Sequence, residues 1–125
     1  MNFDQSPLLV IWEVTQACDL ACVHCRASAQ PARHPHELNT EEGRRLLEEI
    51  RSFGEPLMVF TGGDPLKRPD LYELIRHSVK LGLRTNVTPS ATPLLDMFDR
   101  LALPAVRSSV MPRPLDVWFA APRFR

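Results

Sequence analysis

No surplus of charge marks this chain: 15 basic residues balance 15 acidic ones among 125, and the isoelectric point lies near 6.9. Without a broad field of either sign, neither nucleic acid nor a membrane surface is an expected partner. A long apolar run is also missing, and Met1-Asn2-Phe3-Asp4 lacks the basic and apolar regions of a secretory leader. Cysteine is scarce and odd in number. The three present fall within eight positions, which excludes a disulfide framework. Together these absences point to a reducing, cytoplasmic compartment.

What is present is a C-x3-C-x2-C run, Cys18, Cys22 and Cys25, just after the apolar stretch 8–14. It is one thiolate short of a four-thiolate site. A [4Fe–4S] cluster held there would keep one iron open to an outside ligand, whereas a Cys₄ run of the ferredoxin type implies plain electron transfer. Two other readings stand beside it. Inert core thiols fit poorly with tight clustering in a loop. A structural zinc site could take His24, His34 or His36 as fourth ligand, but the spacing is uncommon for zinc and a second ligand pair is missing. A non-catalytic iron–sulfur or zinc-binding module is therefore the alternative function class.

Leu8-Leu9-Val10-Ile11-Trp12 reads as a strand buried on both faces, as in a parallel sheet. Asn39 and Glu42 stand at capping-box spacing before a helix with the apolar stripe Leu46, Leu47, Ile50 and Phe53, stopped by Gly54. Leu57-Met58-Val59-Phe60 is a second strand, ending in the turn Thr61-Gly62-Gly63-Asp64-Pro65. A second helix begins near Pro69-Asp70, carrying Leu71, Leu74, Ile75, Val79 and Leu81, and residues 83–87 form a third strand. Thr92-Pro93 opens a third helix with Leu94, Leu95, Met97, Phe98 and Leu101. The order βαβαβα implies an α/β fold with parallel strands and right-handed crossovers. Ligands of such sheets bind at the carboxyl ends of the strands. The cysteine run, the Gly62-Gly63 turn and Thr85-Asn86 all follow or close strands, so they fall at one end, on neighbouring strands roughly 5 Å apart.

The two motifs in this order, with Trp12-Glu13-Val14-Thr15 before the cysteines and Leu66 after the Gly-Gly turn, resemble the radical S-adenosylmethionine (radical SAM) superfamily. The surrounding text is similar to its haem-modifying, molybdenum-cofactor and peptide-maturase branch, over about residues 7–95. The resemblance implies a partial (β/α) barrel. It also implies a [4Fe–4S] cluster on Cys18, Cys22 and Cys25, with SAM chelated to the fourth iron and cleaved by one electron to methionine and a 5′-deoxyadenosyl radical. That radical abstracts hydrogen from an unactivated carbon, so the chain would be an oxidoreductase-type enzyme acting on a peptide or tetrapyrrole-like substrate. A flavodoxin or ferredoxin would donate the electron. It places SAM contacts at Gly62, Gly63, Asp64 and Pro65, where two residues without Cβ let backbone carbonyls approach a ligand and Asp64 adds charge complementarity. His24 stands where the family commonly has an aromatic residue near the adenine, and Asn86 matches a strand-end Thr-Asn of this branch.

There are departures. The family usually has glutamate where Asp64 stands, which shortens the reach. Only about three βα units are legible, no cysteine follows Cys25, and no later strand offers a serine-plus-aspartate ribose contact. A complete (β/α)8 barrel takes about 250 residues. Residues 102–125 hold Pro104, Pro112, Pro114 and Pro122, several arginines, and neither lysine nor glutamate. They read as an irregular tail, out of frame with a longer enzyme, after an N-terminal half-domain over 1–101. A fragment is the favoured expectation; the other is a short protein completed by a partner or by self-association.

Overall fold

A computed structural model describes residues 5–90 of the chain. Three strands, β1 (Leu9–Glu13), β2 (Leu57–Thr61) and β3 (Arg84–Val87), alternate with helices α1 (Thr40–Ser52) and α2 (Leu71–Lys80). The strands form one parallel sheet in the order β1-β2-β3. This is the expected α/β alternation, with parallel strands and a helix between each pair. The third helix near residues 92–101 and the tail 102–125 lie outside the described residues.

Register decides which side chains meet the helices. Val10, Met58 and Thr85 share one row, and Trp12, Phe60 and Val87 the next. These rows face α1 and α2, where Leu47, Ile50, Leu71, Leu74 and Ile75 complete the buried core. Trp12 and Phe60 meet with ring centroids 5.8 Å apart. The opposite face carries Ile11, Val59 and Asn86 in register, with Leu9 and Leu57 behind them. Among the described residues no element covers that face, and Leu9 and Ile11 are 44% and 53% exposed. The expectation that β1 is buried on both faces is thus corrected: both helices pack on one side.

α1 opens as its sequence dictates. Asn39 Oδ1 accepts from the Glu42 amide at 2.9 Å, and Glu42 Oε2 accepts from the Asn39 amide at 2.8 Å, a complete capping box. Phe53 is not part of the stripe; it caps the carboxyl end and is 63% exposed. α2 starts differently from its sequence signature. Asp70 occupies the N-cap position but makes no side-chain cap bond, because its carboxylate is engaged elsewhere. A 3-10 turn, Pro65–Lys67, precedes it.

Candidate metal and cofactor site

The site is assembled from backbone first. Beyond β1 the Val14 amide extends the ladder to Thr61 O at 2.8 Å, and the chain then runs beside the turn that follows β2. The Gly63 amide donates to Thr15 O at 2.8 Å and the Asp64 amide to Ala17 O at 2.7 Å. A Cβ on Gly62 would lie 2.3 Å from Thr15 O, and one on Gly63 2.5 Å from Ala17 O. Gly62 also holds φ +144°, a region that side chains avoid. The close approach that these glycines permit is therefore to the chain's own segment 15–17.

From this seat the cysteine loop departs. Cys18 is buried at its base, while Cys22 and Cys25 are exposed. The Cys18 amide donates to Gln30 O and the Gln30 amide to Gln16 O, both at 2.8 Å, so residues 28–38 return alongside the loop as a strap. Within the loop the Cys25 amide donates to Cys22 O at 3.1 Å. Two sulfurs already accept backbone hydrogen bonds: Cys18 Sγ from Leu20 at 3.4 Å and Cys25 Sγ from Ala29 at 3.3 Å. Hydrogen bonds to sulfur tune clusters held by cysteine. Among the described residues no three His, Cys, Asp or Glu side chains converge on a single point able to hold one ion. Three thiols carried on one loop are donors of the kind that hold an iron–sulfur cluster.

Charged side chains brace the seat. Glu37 Oε1 accepts from the Thr15 hydroxyl (2.9 Å), the Gln16 amide (2.9 Å) and the His34 amide (3.1 Å), while Oε2 accepts from Arg33 Nε (2.7 Å). Burial alone would raise its pKa, but the Arg33 bond and the bonds from Gln16, Thr15 and His34 outweigh it and lower the value to about 2. Arg68 has no exposed side-chain surface. It pairs with both oxygens of Asp70 (2.7 and 2.9 Å) and donates to Val14 O (2.9 Å) and Leu38 O (2.8 Å). Its guanidinium carbon sits 5.5 Å from the centre of the Trp12 ring. Asp70 Oδ2 also accepts from the Thr40 hydroxyl at 2.7 Å. Burial opposes its ionisation, yet the Arg68 and Thr40 bonds bring its pKa below the usual value. Lys67 Nζ meets Asp19 Oδ1 at 2.7 Å, tying the 3-10 turn to the cysteine loop. That bond, chiefly, raises the lysine's pKa.

The cysteine loop and Gly62–Pro65 follow the carboxyl ends of β1 and β2, whereas Asn86 lies within β3. Asp64 is 1% exposed. Its Oδ1 accepts from the Leu66 amide at 3.0 Å and its Oδ2 from the Ser90 hydroxyl at 2.8 Å. Both oxygens thus serve the chain itself, capping the 3-10 turn and drawing in the segment after β3. Pro65 is buried as the first residue of that turn. His24 is exposed on the loop, and Asn86 is exposed on the open sheet face, level with Val59 and Ile11. His34 and His36 stack edge-on at 5.3 Å, and His34 Nδ1 accepts the His36 amide. Glu37, Arg68 and the Lys67–Asp19 pair escape sequence reasoning. Their partners lie 21 to 54 positions away or more locally in irregular chain, where no periodicity marks them.

A sequence profile described as the Radical SAM superfamily matches residues 12–107. The AdoMet-dependent heme synthase of Oleidesulfovibrio alaskensis is 50% identical over 91 residues, covering 71% of this chain and 24% of that protein. The Fe-coproporphyrin III synthase of Methanosarcina barkeri is 40% identical over 89 residues, covering 71% and 22%. The PqqA peptide cyclase of Rhodopseudomonas palustris is 41% identical over 88 residues, covering 70% and 23%. The chain spans about a quarter of the length of these curated relatives.

Proposed function

The chain belongs to the radical SAM superfamily, and from that premise we propose that Cys18, Cys22 and Cys25 are the ligands of a [4Fe–4S] cluster that binds SAM. The observation supporting this most directly is the junction of the two motifs. The cysteine loop and the Gly62–Pro65 turn are joined by the amides of Gly63 and Asp64 at the carboxyl end of a parallel sheet. Bound there, cluster and SAM supply reductive cleavage of a sulfonium and hydrogen abstraction from an unactivated carbon.

The protein's own part is placement. The Leu20 and Ala29 amides donate to the sulfurs of Cys18 and Cys25 and hold them in place. SAM contacts run along Gly62, Gly63, Asp64 and Pro65, with His24 near the adenine and Asn86 on the open face. The carboxylate of Asp64 also shapes the turn, accepting from the Leu66 amide and the Ser90 hydroxyl. As part of a longer enzyme, the segment serves modification of a tetrapyrrole, following the relatives named heme synthase and Fe-coproporphyrin III synthase. A peptide substrate is the second reading, favoured by the similarity to PqqA peptide cyclases. Flavodoxin or ferredoxin is the proposed electron donor.

The test is anaerobic reconstitution of the 125-residue chain with iron and sulfide, followed by EPR of the reduced protein with and without SAM. Iron with sulfide, and a signal altered by SAM, is the expected result. Replacing all three cysteines by alanine abolishes both. Stoichiometric zinc without sulfide, or an unchanged signal in the triple variant, overturns the proposal.

A further inference from the structure

Residues 14–39 contain no helix and no strand of the sheet, so their backbone donors need acceptors of another kind. One side chain supplies them where it matters most. Glu37 is 9% exposed at its side chain and receives four donors from four residues, Thr15, Gln16, Arg33 and His34. An ionised carboxylate offers about four acceptor positions; here three donors meet Oε1 and one meets Oε2. Bonds to an ionised acceptor are also stronger than neutral ones.

The connections continue from Glu37 toward the first cysteine. Thr15 is 2% exposed, and its hydroxyl, while donating to Glu37, accepts from the Ala17 amide at 3.1 Å. Ala17 O is the acceptor for Asp64, and the next amide, that of Cys18, is tied to Gln30. The segment 15–18 is thus held from one side by the Gly62–Asp64 turn and from the other by the strap. Glu37 is the only charged side chain among the described hydrogen bonds that joins strap and segment directly. Arg33 closes the arrangement by fixing the second carboxylate oxygen from one helical turn's distance in sequence.

We propose that Glu37 is the positioning residue of the cysteine loop, fixing through Thr15 and Gln16 the backbone that presents Cys18 to its iron. This rests on the reading of the three cysteines as cluster ligands, and it assigns Glu37 no contact with cluster or SAM.

Glu37→Gln keeps an oxygen for the three donors on Oε1 and loses the pair with Arg33; Glu37→Ala loses all four bonds. Amide hydrogen exchange by NMR on the full chain, metal-free, reads the anchor without any cofactor. In Glu37→Ala, exchange at Gln16, Ala17 and Cys18 should accelerate about tenfold or more beyond any change at Met58 and Phe60, with Glu37→Gln between it and wild type. After reconstitution, Glu37→Ala should lose iron to a chelator about tenfold faster than wild type at matched global stability. Equal acceleration at the loop and at the core, or none at the loop, would show a merely structural role and overturn the inference. Should Glu37→Ala fail to fold, Thr15→Val decides. It deletes the hydroxyl between Glu37 and Ala17, and an unchanged Ala17 exchange rate in it refutes the anchor. Failure of the wild-type chain to take up iron and sulfide would overturn the cluster reading separately, leaving the exchange contrast to decide the role of Glu37.

Discussion

Replacing Arg68 by methionine should cost more stability than any other single polar substitution among the described residues. The side chain is fully enclosed, pairs with both oxygens of Asp70 and donates to the carbonyls of Val14 and Leu38. Methionine fills similar apolar volume, so the loss is electrostatic rather than a cavity. Removing one partner of a buried ion pair costs about 3–5 kcal/mol, because the remaining charge stays desolvated. Asp70 retains 17% exposure and the Thr40 hydroxyl, which places the expectation near the lower figure, about 3 kcal/mol. Against a typical domain stability of about 5–15 kcal/mol, that is a large fraction. The melting temperature should fall by about 12 °C or more. Urea denaturation followed by circular dichroism measures it, with an unchanged m-value showing that the unfolded reference is the same. Adding Asp70→Asn to Arg68→Met should return part of the loss, since no unpaired charge remains. A cost below about 1 kcal/mol for Arg68→Met, the size of an exposed pair, would refute the reasoning.

Gly62→Ala and Gly63→Ala each drive a Cβ into backbone oxygen. Overpacking costs about 1–3 kcal/mol, and Gly62 adds strain of similar size at φ +144°. Gly62→Ala should therefore be the worse in a thermal melt, and equal losses would count against the strain argument. Glu37 and Asp70 both have folded pKa values below their unfolded ones, so their stabilisation is complete above the unfolded values and fades as pH falls. For Glu37 the window runs from about 4.5 down to about 2. Discounted for solvent screening near the surface, its share is about 1–2 kcal/mol. Glu37→Gln should flatten the stability profile in that window, and an unflattened profile would contradict the assignment.

Regular elements were legible because their signals are local. The Asn39–Glu42 box, the stripe of Leu47 and Ile50, and the apolar run at 57–60 each declare themselves within a few residues. The order of strands then placed the cysteine loop and the Gly-Gly turn at one end. Sidedness was not legible: the run at 8–12 is apolar on both faces, and only the packing of α1 and α2 shows that Leu9 and Ile11 look away from the core. Asp70 carries the signature of a cap, yet a guanidinium two residues earlier takes its oxygens. Arg68 and Glu37 hold the site together through irregular chain, where spacing along the sequence says nothing about proximity.

The seat of the cysteine loop is made of peptide groups: Thr15 O, Ala17 O and Gln30 O accept from the amides of Gly63, Asp64 and Cys18. Main-chain atoms are common to every residue type. The exposed side chains of Ala21, Val23 and His24 take no part in these bonds, so exchanging them leaves the seat of Cys18 in place. Whatever those side chains touch is adjustable independently of the peptide seat, so that contacts along the loop can drift while the anchoring geometry stays constant.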